Sequence, residues 1–359
     1  MKLYKHLLNL VRFKLGATEP ACGPMKVQWE LTYHCNLKCR HCHIWQIPLA
    51  EIRRTTLDIN QQKKILEDLA SNDVAHISFS GGEMFLQKTV YDLISYGKSL
   101  GLKIGGNSNA VLITPEIAEK IASTGLDSLY ISIDGDNSDT HDNIRGVKGA
   151  FDKAIGGVKN LQAANPDISL FFNTTINSDN AGQLLGIAKM AKDLGIDGLT
   201  IEMTNTFVKY SPDNNLILNN GEMKLVKDQI NTLFDQYPEL IPHPKGYFDE
   251  FEAYLADQNS LYKYKCTAGM FSAQIHPNGD LFSCPVAFSR IGNLTEKTFK
   301  EIWFGQEANS LRCSIKEGHH PICWVTCVSP LNLYLSYLTP TRLHKLIEPK
   351  TLKHILQKI

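Results

Sequence analysis

Between residues 27 and 203 the apolar positions switch back and forth between two periods. Six short runs, Val27–Leu31, Ala75–Ser80, Leu102–Ser108, Asp127–Asp134, Ser169–Ile176 and Gly198–Met203, are alternating or continuous in apolar residues and predict strands. Between them apolar residues recur at helical spacing. Ile65, Leu66 and Leu69 follow Asp58; Val90, Leu93, Ile94 and Gly97 lie within 88–100; and 115–123, 150–164 and 180–194 continue the series. Strands that alternate with helices pair in parallel through right-handed crossovers. The expectation is an α/β fold, a partial (β/α)6 TIM-like barrel over 27–205, with its active site on the loops after the strands' C-terminal ends. The rhythm stops near residue 204, so a closed eight-stranded barrel is not expected.

Residues 206–265 read as a helical bridge with several aromatic residues. Residues 266–329 read as a small α+β module, with a hairpin signal at Pro277-Asn278-Gly279-Asp280 and an amphipathic helix over 296–304. The two ends, 1–26 and 330–359, are basic and amphipathic. Leu3, Leu7, Leu10 and Val11 share one helical face, and Ile347, Leu352, Ile355, Leu356 and Ile359 do so approximately. Net charge is zero, yet residues 1–16 and 331–359 each carry +4, which leaves the body between them at −8. Each end is expected to pack its apolar stripe on that acidic body; the alternative is peripheral contact with an anionic membrane.

Composition narrows the classes further. Hydrophobic residues are 43% of the 359, ample for a core, and no apolar run is long enough to span a bilayer. Asn9, Arg12 and Lys14 interrupt any secretory signal. Nothing forms a nucleic-acid-binding stripe. Nine cysteines, odd in number and clustered, do not suit a disulfide framework. Thiols awaiting a metal need a reducing compartment, so a cytoplasmic location, possibly membrane-associated, is expected.

The chemistry concentrates after the first strand. Cys35, Cys39 and Cys42 stand at C-x3-C-x2-C. Three thiolates on one loop can hold three irons of a cubane and leave the fourth iron open. A structural zinc site completed by His34, His41 or His43 is the plain alternative. Other suggestive residues also follow strand ends: Gly81-Gly82-Glu83, then Asn107-Ser108-Asn109, then Ser132 and Asp134 on one strand face, then Arg145 as a carboxylate clamp. Asn173, Thr175, Glu202 and Asn205 are candidates for facing a substrate. Cys266, Cys284, Cys323 and Cys327 are enough to enclose one further cluster, and Cys22 and Cys313 remain as lone thiols.

The cysteine loop with its flanks resembles the cluster loop of radical S-adenosylmethionine (radical SAM) enzymes. Gly81-Gly82-Glu83 is similar to that family's GGE motif, with Met84 where proline is usual. The resemblance implies a [4Fe–4S] cluster whose open iron binds SAM, with Glu83 at the methionyl amine, Ser132 at the ribose or carboxylate, Asp134 nearby, and Arg145 at the carboxylate. The order cysteine, hairpin, cysteine, Gly292-Asn293-Leu294, terminal cysteine pair resembles the SPASM/Twitch extension. It implies one auxiliary [4Fe–4S] cluster, with Cys313 left open as a replacement for Cys323 or Cys327. The activity expected is a radical SAM oxidoreductase: it cleaves SAM to a 5′-deoxyadenosyl radical, abstracts hydrogen from a small-molecule or lipid-linked substrate and passes an electron to the auxiliary cluster. Its reductant would be a carrier such as flavodoxin or ferredoxin. A maturase of ribosomally made peptides is the alternative, with only 26 residues before the first strand to build a leader-recognition domain; a zinc scaffold or iron–sulfur electron carrier is the non-enzymatic one.

Overall fold

The computed structural model describes residues 2–338 apart from 166, 205–213, 285, 287 and 288. Asn205 and the apolar positions 347–359 lie outside the described residues. Six strands form the barrel wall: β1 (Lys26–Thr32), β2 (His76–Gly81), β3 (Lys103–Ser108), β4 (Ser128–Ser132), β5 (Ser169–Ile176) and β6 (Gly198–Met203). All neighbours among them pair in parallel, in chain order. Three more strands, β7 (Ser272–Ile275), β8 (Asp280–Phe282) and β9 (Arg290–Asn293), continue the same sheet beyond β1.

Alternation along each strand separates two environments. On β1, Val27, Trp29 and Leu31 are fully buried against the outer helices, while Lys26, Gln28 and Glu30 face the lumen. The helices start where the side chains dictate. Asp58 caps 59–71 in a reciprocal capping box with Gln61, and Thr114 caps 115–123 with Pro115 in the first turn. Met84 fills the space that Gly106 of β3 leaves: a Cβ there would meet its sulfur at 2.6 Å.

Four features depart from the sequence expectation. The C-terminal module is continuous with the barrel, because β7 pairs in parallel with β1 and the β8–β9 hairpin extends it. Helices at Leu49–Thr55 and Ser138–Arg145 occupy stretches that carry no clear apolar period. A further helix, Gln306–Lys316, follows the short one at Phe299–Trp303. The N-terminal helix, Lys2–Lys14, docks with its apolar stripe outward: the body receives His6 and Asn9 as well as Leu10 and Phe13, while Leu3, Leu7 and Val11 stay exposed. Buried hydrogen bonds set its rotation, as described below.

Candidate active site

The cysteine loop leaves the C-terminal end of β1 and folds over the barrel mouth. Cys35, Cys39 and Cys42 pack with Leu37, Val111 and Ala150 in a small apolar nest. Backbone bonds hold the loop down: Lys38 N–H donates to Arg145 O (3.1 Å) and Arg40 N–H to Ile144 O (2.9 Å). Helix 138–145 thus grips the loop along its length. It ends at Gly146, in the left-handed region at φ 69°, where a Cβ would lie 2.2 Å from Lys38 O. Only glycine satisfies both the turn and the close approach.

Burial pushes the Cys35 thiol up to about 12 and the Cys42 thiol up to about 11, and neighbouring thiolates add to the rise in both. Buried thiolates that repel one another are stabilised by cationic metal, so the donor set fits an iron cluster. No three or more His, Cys, Asp and Glu side chains among the described residues converge as a single ion requires. His41 lines the same cavity, and its Nδ1 and that of His43 meet no hydrogen-bond partner.

Gly81, Gly82, Asn107, Ser132 and Arg145 all reach the cavity wall. Gly82 N–H donates to Thr32 O (2.7 Å) and Glu83 N–H to His34 O (2.8 Å), which lays this turn directly on the start of the cysteine loop. A Cβ on Gly82 would sit 2.2 Å from His34 O. Glu83 lies behind that wall, fully buried. Its carboxylate accepts from Ser108 Oγ (2.9 Å), Asn109 N–H (2.8 Å) and Phe85 N–H (3.1 Å). Burial raises its carboxyl and these bonds pull it partly back. Asn109 in turn donates to Asn36 Oδ1 (2.8 Å), within the cysteine loop. Asn36 carries no signal of its own in the sequence; its part in the site shows only when two loops 73 positions apart meet.

Asp134 is likewise behind the wall. Its carboxylate pairs with Arg145 Nη2 (2.7 Å) and accepts from Thr175 N–H (2.8 Å). Arg145 Nη1 approaches Cys39 Sγ at 3.8 Å, and its Nε has no partner. His141 Nδ1 accepts the Asp134 N–H (3.2 Å), and burial lowers its imidazole to about 4. The acceptor role requires the neutral ring. Folded His141 therefore binds a proton later than the unfolded chain, whose His titrates near 6.5. Stability is full above that pH and falls as pH drops towards 4, by roughly 2 kcal/mol at pH 5 from this residue. Anaerobic denaturant unfolding at several pH values should show that slope, and His141→Gln should flatten it; an unchanged slope refutes the assignment.

The cavity encloses ≈ 1560 Å³ and runs through the barrel, with Gln28, Ser78, Asn107, Ser132, Asn173 and Thr200 among its polar wall residues. At its side stand Cys266, Cys284, Cys323 and Cys327. Burial raises Cys323 and Cys284, and so do the thiolates of other members of the same four, which places them within mutual range. Cys313 is elsewhere: its sulfur meets Thr18 Oγ1 at 3.8 Å. Cys22 is buried beside Asn9 and His6. Thr326, between the last two cysteines, donates to Glu202 (2.8 Å), so β6 and the auxiliary loop meet at the cavity wall.

Comparison with known proteins bears directly on this geometry. Residues 29–191 match the Radical SAM superfamily, and residues 266–328 match SPASM, an iron–sulfur cluster-binding domain. The chain thus carries a radical SAM domain followed by a C-terminal SPASM module, domain types that bind SAM with a [4Fe–4S] cluster and auxiliary iron–sulfur clusters respectively. An AdoMet-dependent heme synthase of Methanosarcina barkeri is 35% identical over 176 residues, 48% of this chain and 48% of that protein. The chain spans about half the length of such heme synthases. The mycofactocin maturase MftC of Mycobacterium tuberculosis is 27% identical over 339 residues, 89% of this chain and 81% of that one. Among solved structures, Streptococcus suis SuiB bound to precursor peptide SuiA superposes with TM-score 0.66 at 17% identity, over 86% of this chain and 70% of that chain. That likeness is one of fold.

Proposed function

We propose that this protein is a SPASM-type maturase that oxidises a peptide substrate inside the barrel. The observation that carries the reading is the similarity to MftC, which extends over 89% of the chain and hence over both modules. SuiB, of the same fold, is seen with a precursor peptide. The heme synthases align over about half of the chain, which carries less of the whole architecture. The small-molecule or lipid-linked substrate expected from sequence therefore gives way to a peptide.

When bound, the reduced cluster and SAM supply a carbon radical that takes a hydrogen atom from substrate. The chain's own residues hold and orient. Cys35, Cys39 and Cys42 ligate the SAM-binding cluster. Gly81 and Gly82 let backbone approach the cofactor closely, and Arg145, on the cavity wall, is the candidate clamp for the SAM carboxylate. Asn107 and Ser132 present hydrogen-bonding groups from the wall. Glu83 and Asp134 are positioning residues: the first pins the turn against Asn109, the second sets the guanidinium. Cys266, Cys284, Cys323 and Cys327 would enclose a single auxiliary cluster, a group that would supply an electron acceptor.

Two experiments test this. Peptide, lipid and small-metabolite fractions from perdeuterated cells are each incubated with reduced enzyme and SAM. Deuterium should enter 5′-deoxyadenosine from the peptide fraction; entry from the lipid or metabolite fraction alone overturns the substrate class. For the auxiliary site, Cys327→Ser should lose up to roughly four irons per chain, and Cys313→Ser none. Equal losses from the two variants refute the ligand set.

A further inference from the structure

We propose that the helix Lys2–Lys14 docks the protein on an anionic lipid surface and seats an apolar end of the cavity against it. The helix presents an unusual pair of faces. Inward it buries His6 and Asn9, each with a partner, beside Leu10 and Phe13. Asn9 Oδ1 accepts from Ala21 N–H (2.5 Å) and Asn9 Nδ2 donates to Cys22 Sγ (3.3 Å). His6 Nε2 lies 3.0 Å from Asp73 O, and Lys14 Nζ donates to Leu335 O (2.7 Å). These bonds fix the rotation of the helix. Outward it shows Leu3, Tyr4, Leu7, Val11 and Leu15, between 47% and 82% exposed. Positions 3, 7, 11 and 15 form one unbroken row at i, i+4, i+8 and i+12. A contiguous apolar row that the fold holds outward signals a partner rather than a spare surface residue.

Charge identifies the chemistry of that partner. Arg12 and Lys14 flank the row, and Lys316 Nζ donates to Gly16 O (2.6 Å) just past its end. The segment 339–359, with five basic residues and one acidic, leaves the described chain at Leu338, three residues beyond the carbonyl that Lys14 holds. The N-terminal helix thus presents its bases on an otherwise acidic molecule. That segment is a poor cover for the row, because it brings like charge. A two-fold dimer through this face would oppose the same basic patches and is disfavoured for the same reason. An anionic bilayer satisfies both properties: its acyl boundary takes the apolar row and its headgroups take the bases. No helix among the described residues is long and apolar enough to cross a membrane, so the contact is peripheral.

The same helix also reaches the cavity. Leu10, with Phe271, Leu331, Leu335 and Leu338, lines its apolar end, next to Met25 and Lys26 at the start of β1. Docking by the outer row would hold this end at the lipid boundary. The inference stands apart from the peptide reading, since binding is measured without SAM or substrate.

The test is flotation of the full-length, cluster-loaded protein with vesicles of phosphatidylcholine alone or mixed with phosphatidylglycerol. Binding should require phosphatidylglycerol and weaken with salt. Leu7→Gln/Val11→Gln should weaken it by about tenfold or more, with unfolding midpoint and SAM cleavage unchanged. Failure to bind any vesicle, or undiminished binding by the double variant, overturns the proposal. A dimer in sedimentation that the double variant abolishes, without vesicle binding, assigns the row to a second copy instead. Binding that appears only after removal of 339–359 assigns it to that segment, and likewise overturns the proposal.

Discussion

Cys39→Ala protein, reconstituted anaerobically, will hold roughly four irons per chain rather than eight, and its SAM cleavage will fall by more than about 10³-fold. The expected loss is this large because a cubane that keeps one iron open needs all three thiolates. Cys39 is buried, its sulfur is 3.8 Å from Arg145 Nη1, and the two other thiols share its small apolar nest. An alanine there leaves two thiolates for a cluster that must keep one iron free. The auxiliary set is built by other elements and should stay loaded, so residual iron and its spectrum report that the fold survives. Cys22→Ala is the matched control, being a buried thiol held by Asn9 on the far side of β1's start. SAM cleavage that persists in Cys39→Ala would falsify the ligand assignment.

Asp134→Ala should destabilise the protein by about 3–5 kcal/mol, the usual result of leaving one buried charge without its partner. Asp134 is fully buried and Arg145 is 7% exposed, so water does not reach the guanidinium to compensate. The Thr175 N–H would also lose its acceptor. Two elements are affected, because Arg145 ends the helix that grips the cysteine loop. A second variant separates pair loss from general damage. Asp134→Leu/Arg145→Met removes both charges at similar volume and should recover part of the stability while leaving SAM cleavage impaired, since the carboxylate clamp is gone. Anaerobic guanidinium unfolding and 5′-deoxyadenosine assays measure both. A wild-type midpoint in Asp134→Ala, or full activity in the double variant, refutes the arrangement.

The motifs that make up the candidate site were legible early. Cys35, Cys39 and Cys42 are close in sequence, so their spacing alone implies one metal loop. Gly81, Gly82, Asn107 and Ser132 lie at or just past the C-terminal ends of strands whose period is plain, and a parallel barrel brings all strand ends to one rim. Cys313 shows the limit of that reading. Spacing allowed it to replace Cys323 or Cys327, but the helix 306–316 turns its sulfur towards Thr18.

What the amino-acid sequence determined by itself was local: six strand–helix units, a cysteine loop, and motifs at strand ends, because period and spacing act within a few turns of chain. Tertiary structure alone decided the pairings across long separations. It placed Glu83 and Asp134 behind the cavity wall rather than on it, joined β7 to β1, and turned the N-terminal helix so that Asn9 is buried and Leu7 exposed. Apolar periodicity says that a face prefers to leave water; it does not say which surface receives it. Here the hydrogen bonds of Asn9, His6 and Lys14 outweighed the apolar row, and the helix docked polar side inward.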